Sequence, residues 1–117
     1  MSTAIIELAN RLGRAIAAAP ATKALHEARK AMEAEENTTQ LLNEFRVQSE
    51  KIDRLERENK PVEVEDKHRL QELQQKLMAS EAFKKFTAAQ VDYVDLMRKV
   101  NHAIQGQIQE ESGDQES

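Results

Sequence analysis

The sequence predicts an all-α fold: a long antiparallel helical hairpin with a short N-terminal helix, bundle-like and dimeric. Three observations predict it. The 117 residues include only 3 Gly and 2 Pro, too few for a sheet protein with many turns. Apolar residues recur at steps of three and four, the period of a helix face. Large apolar side chains are also scarce. Leu, Ile, Val and Phe together number 25 of 117, while 32% of the chain is charged. That ratio sits near the edge of disorder unless the apolar residues are placed on stripes. Thin arms that complete their core with a second copy account for both the stripes and the scarcity.

The length predicts one domain over residues 1–117, with helices at about 4–18, 21–58, 66–79 and 81–108 and a frayed tail at 109–117. The first helix carries Ile5, Leu8, Ala9, Leu12 and Ile16 on one stripe. Ser2 or Thr3 can cap its start. Pro20 ends it or opens the next helix, where the missing N–H costs nothing. From 21 to 58 there is neither Gly nor Pro. The stripe Leu41, Phe45, Gln48, Ile52, Leu55 steps 4-3-4-3, the spacing of a coiled coil. Between Glu33 and Gln40 no large apolar residue occurs, which leaves a kink or break open there.

Asn59 to Glu65 is the clearest connection, because Pro61 drives Lys60 towards extended backbone. Val62 and Val64 alternate but are too short and isolated to build a sheet. Glu65 or Asp66 starts the next helix, with Leu70, Leu73 and Leu77 on its face. Ser80 offers an N-cap for the last helix. Its stripe runs Phe83, Phe86, Gln90, Tyr93, Val94, Met97, Val100, Ile104 and Ile108, with Gly106 weakening the end. Connections this short favour antiparallel arms.

Composition removes several function classes. There is no Cys, hence no disulfide, thiolate metal site or cysteine nucleophile. No apolar run approaches a transmembrane span, and Glu7, Asn10, Arg11 and Arg14 interrupt the N-terminal stretch, which reads as a mature helix rather than a signal peptide. Net charge is −4, which weighs against a general nucleic-acid binder. No glycine-rich phosphate loop and no nucleophile–base pair occurs, so no catalytic residue, cofactor site or metal site is assigned. One carboxylate–histidine cluster, Glu65, His68 and Glu72, sits at helical spacing, but it lacks the paired-histidine pattern of zinc enzymes. It stands as the metal-binding alternative. Arg46, Lys51, Arg54, Arg57 and Lys60 are the residues a direct RNA-binding alternative would use, with Glu50, Glu56 and Glu58 offsetting them. Glu50–Arg54 and Asp53–Arg57 are spaced as i,i+4 ion pairs. The candidate packing or partner interface is Leu42, Phe45, Ile52, Leu55, Phe83, Phe86, Tyr93 and Met97.

A set of degenerate motifs recurs in order over residues 4–108. It opens with Ile6-x-x-Ala9-x-x-Leu12-Gly13-x-x-Ile16, then Leu25-x-x-Ala28 and Leu41-Leu42-x-x-Phe45. After the connection come Leu70-x-x-Leu73-x-x-x-Leu77 and Phe83-x-x-Phe86-x-x-Ala89-Gln90, running into Val100-x-x-x-Ile104. In this the chain resembles the YlbF/YmcA-like family of control-of-competence regulators, which includes YheA-type proteins. The resemblance implies a cytoplasmic, dimeric, non-enzymatic regulator with long antiparallel arms. It also implies partner proteins, in complexes that influence messenger-RNA processing by a membrane-associated endoribonuclease and so competence, sporulation and biofilm formation. Some members hold an iron–sulfur cluster through cysteines. This chain has none, so no cofactor is expected.

Overall fold

The computed structural model describes residues 2–116, with side chains through residue 110. It is all-α, with five helices: α1 (Thr3–Ala18), α2 (Pro20–Glu33), α3 (Glu36–Arg57), α4 (Val64–Met78) and α5 (Glu81–Glu116). Contacts gather the chain into two compact units. One takes the residues up to His26 together with those from Ala88 onward, and the other is Glu27–Thr87.

The Glu27–Thr87 unit is built on an antiparallel hairpin of α3 and α4. Its polar cross-links show the direction of the two helices. Glu44 pairs with Arg69 at 3.6 Å, further along α3 Gln48 donates to the Asp66 carbonyl at 2.9 Å, and Lys51 reaches the Asp66 carboxylate at 2.8 Å. As the α3 partner advances, the α4 partner retreats. The apolar seam runs alongside these links and beyond them in both directions. Leu73 and Leu77 are buried, and Leu41, Leu42, Phe45, Ile52, Leu55 and Leu70 are half-buried. The 4-3-4-3 stripe of α3 is therefore the face turned to α4, as knobs on a seam require.

A helix end with a specific device makes the turn. Asn59 adopts the left-handed conformation at φ 56°. The Asn59 N–H donates to the Glu56 carbonyl at 3.2 Å and the Lys60 N–H to the Leu55 carbonyl at 2.8 Å. This is the Schellman pattern, with asparagine where glycine is commonest, followed by Pro61 to prevent any continuation. Asn59→Gly is expected to stabilise the protein by about 0.5 kcal/mol, and Asn59→Val to destabilise it by about 1–2 kcal/mol, because a β-branched residue resists positive φ. Urea melts followed by circular dichroism check the order Gly above Asn above Val.

The helix expected over 21–58 is two helices. Glu35 is extended (φ −94°, ψ 102°) and separates α2 from α3. The break falls inside the stretch without large apolar residues, where no seam held the helix through. Other bounds also shift. The fourth helix begins at Val64 rather than 66, after an extended Glu63, and ends at Met78 rather than 79. The last helix runs through Gly106 to Glu116, past the tail expected from 109. An isolated glycine costs a helix only about 1 kcal/mol, too little for Gly106 alone to end this one.

The other unit contains α1, the start of α2 and most of α5. Ala19 is extended (ψ 144°), as a residue before proline prefers, and Pro20 is the first residue of α2. Ser2 occupies the N-cap of α1, but its side chain makes no capping bond. Thr22, Leu25 and Ala89 are buried. No residue of α1 is.

Candidate interaction surfaces

The eight residues expected at the interface share one property: every one is half-buried. Leu42, Phe45, Ile52 and Leu55 lie on α3 in the hairpin unit. Phe83 and Phe86 open α5 in that same unit, whereas Tyr93 and Met97 fall on the part of α5 in the other unit. The eight residues thus divide between the two units.

In the hairpin unit the junction around α5 is tied by polar groups. Ser80 caps α5: its Oγ accepts from the Phe83 N–H at 3.2 Å. The same Oγ lies 3.0 Å from Thr38 Oγ1, and Thr38 is buried. Thr38 Oγ1 in turn donates to the Glu35 carboxylate at 2.8 Å. One chain of hydroxyls and a carboxylate thereby joins the break before α3 to the start of α5. Such a network holds because each buried member has a partner. The capping role of Ser80 was legible from sequence, but its tie to Thr38 was not. The signal was the Thr38-Thr39 pair in a stretch otherwise poor in apolar residues. Beside this knot the Arg29 guanidinium sits over the Phe86 ring, 5.9 Å from its centroid, covering one face of that aromatic.

Two residues of the basic row are paired. Lys51 is held by Asp66, and Lys60 by Glu58 at 3.1 Å. The hydrogen bond from Lys51, and its charge, keep the Asp66 carboxyl below its ordinary pKa. Arg57 lines a surface depression together with Glu50, Asp53 and Glu56. Among the described residues the expected Glu50–Arg54 and Asp53–Arg57 pairs do not close. The ion pairs that α3 does make, through Lys51 and Glu44, run to α4.

The carboxylate–histidine cluster comes apart in a similar way. Glu72 is taken by Lys76 at 3.1 Å, and that bond lowers its pKa. Among the described residues no group of three His, Cys, Asp or Glu side chains converges as metal ligands do.

The apolar faces of α1 and α5 are barer. On α1, Ile5, Leu8 and Leu12 are 38–68% exposed along one face. On α5, Val94, Ile104 and Ile108 are 43–58% exposed, flanking the half-buried Tyr93, Met97 and Val100. Charges border this face of α5: Asp95, which shares a depression with Val94, pairs with Lys99 at 3.0 Å and with Arg98, which lowers the Asp95 pKa. Exposed apolar faces rimmed by polar groups mark interaction sites. Among the described residues no helix is long and apolar enough to cross a membrane.

Comparison with known proteins gives consistent results. Residues 5–109 match the model of a family described as control of competence regulator ComK, YlbF/YmcA. A UPF0342 protein of Streptococcus pyogenes serotype M3 is 34% identical over 90 residues, which is 77% of this chain and 80% of the relative. UPF0342 proteins of serotypes M5 and M4 are 33% and 32% identical over the same shares.

Proposed function

We propose a function from one premise: the chain belongs to the YlbF/YmcA family of control-of-competence regulators. It is a non-enzymatic regulatory protein. On our reading residues 1–117 act as one all-helical domain, a homodimeric cytoplasmic adaptor that binds other regulatory proteins in a complex controlling RNA processing. The observation that supports an adaptor is the state of its apolar side chains. Leu42, Phe45, Ile52, Leu55, Phe83, Phe86, Tyr93 and Met97 are all half-exposed, on a chain with few large hydrophobes to spare. Interfaces draw on aromatic and aliphatic anchors of this kind. The pairing of Lys51 and Lys60 with acidic neighbours favours protein partners over RNA as the direct ligand.

Affinity capture from the source cells tests this reading. The tagged chain is expected to recover a stoichiometric protein partner, and Leu42→Ala, at a residue off the α3 stripe that lines a surface depression, to recover at least several-fold less of it. Recovery of no stoichiometric protein under several salt conditions counts against the adaptor. Salt-sensitive retention of short RNA by the purified chain alone transfers the reading to direct RNA binding.

A further inference from the structure

We propose that the bare faces of α1 and α5 cover each other between two copies of this chain, α1 of each copy seating on the α5 face of the other. The proposal rests on the homodimer read above and names the surface that makes it. Two observations carry it. First, α1 has a complete apolar stripe and no buried residue, so no described residue of its own chain fully covers that stripe. Second, a single residue, Ala19, separates α1 from α2. Helices that fold back on one another need a connection of about 2–5 residues. The link therefore denies α1 the antiparallel fold-back onto α2 that would hide its stripe.

The unseated helix and the bare face match. From Ile5 to Ile16 the stripe is about 17 Å long, and from Val94 to Ile108 about 21 Å, at about 1.5 Å per residue. A helix without a seat in its own chain, beside a bare face of like length and character, is the arrangement that exchange between protomers satisfies. The area is also in range. A large aliphatic side chain offers on the order of 100 Å2, so the six exposed stripe residues at about half exposure present roughly 300 Å2 per chain. The half-buried rim of Ile16, Tyr93, Met97 and Val100 brings this to roughly 500 Å2. Two copies then reach about 1,000 Å2, the size at which specific interfaces begin. A lipid surface is the weaker occupant. The polar side of α1 has only Arg11 and Arg14 against Glu7, and the whole chain carries −4.

The absence of cysteine makes a direct test clean. Leu8 and Asn101 sit near the centres of the two stripes, so they meet whichever way α1 runs. The double variant Leu8→Cys/Asn101→Cys, treated with a short bismaleimide, is expected to give a covalent dimer. Leu8→Cys alone and Asn101→Cys alone are expected to give none. A cross-linked monomer from the double variant, or a dimer from either single variant, overturns the exchange. Leu12→Glu, on a helix with no buried residue, is expected to keep the wild-type helical signal and weaken the dimer on the order of 30-fold. If light scattering finds the wild type monomeric at all concentrations, the homodimer reading itself fails. A monomer that floats with vesicles of anionic lipid assigns α1 to membranes and overturns both. A persistent dimer untouched by Leu12→Glu sinks the α1–α5 exchange alone.

Discussion

Leu73→Ala is expected to destabilise the protein by about 3–4 kcal/mol, in the range found for leucine truncation in tight cores. Leu73 is 0% exposed, on the α4 face turned towards α3. The loss has two parts: the transfer free energy of the removed carbons, and the cavity left where α3 cannot collapse onto a shorter side chain. Collapse is resisted because the hairpin is braced on both sides of this layer, by Glu44–Arg69 and Lys51–Asp66 towards the turn and by Thr38–Ser80 at the open end. A small domain has only about 5–15 kcal/mol in total, so the variant is expected to melt more than 10 °C lower. Val47→Ala, on a residue 60% exposed on α3, is the control and should change stability by less than about 0.5 kcal/mol. Urea titration of both variants decides the matter. A loss below 1 kcal/mol at Leu73 contradicts the packing of α3 on α4.

How far the fold could be read in advance depends on whether a feature is local. The α3 stripe from Leu41 to Leu55 was legible because a 4-3-4-3 step is a property of one helix, and the structure turns that stripe to α4. Pro20 at the start of α2 and Ser80 at the cap of α5 were legible for the same reason, since each acts on its own few residues. The break at Glu35 was visible only as a missing stripe. Absence of apolar residues permits a break without requiring one, and helix propensity through Glu33, Ala34 and Glu36 favoured continuity. The Schellman turn had a signal in Asn59, two residues before Pro61, but asparagine is far less diagnostic there than glycine.

The candidate site was less legible than the helices. Half-burial of Phe45 or Met97 depends on what the opposite helix brings, and sequence spacing cannot supply that. Thr38 meeting Ser80 spans 42 positions and follows from hairpin register alone. Spacing does not decide the ion pairs either: Glu50 and Arg54 are correctly spaced on one helix and do not close, whereas Glu44 pairs with Arg69 and Asp66 with Lys51 across the hairpin. The solitude of α1 was least visible. Its stripe has the same form as that of a seated helix, and only the one-residue link at Ala19 prevents the fold-back.

The proposed homodimer ties the stability of the chain to its concentration, and this has the second large expected effect. Among the described residues only Leu25, Met32, Leu73 and Leu77 are buried hydrophobes larger than alanine. A chain of this size with so small a core is marginal alone. If the folded state is a dimer and the unfolded state a monomer, unfolding consumes one associated particle and releases two, so dilution favours it. A hundredfold dilution shifts the balance by about 2.7 kcal/mol per dimer, the mass-action term for that ratio. Spread over the melting entropy of two chains, that is a fall in Tm of about 5 °C. At equal concentration Leu12→Glu is expected to melt where wild type melts after about 30-fold dilution, roughly 4 °C lower, because its dimer is weaker by that factor. Substitution of an exposed residue on a monomer should give no such fall. A wild-type Tm independent of concentration over two decades, with Leu12→Glu melting beside it, would show that the hairpin and its few buried leucines suffice without a second copy.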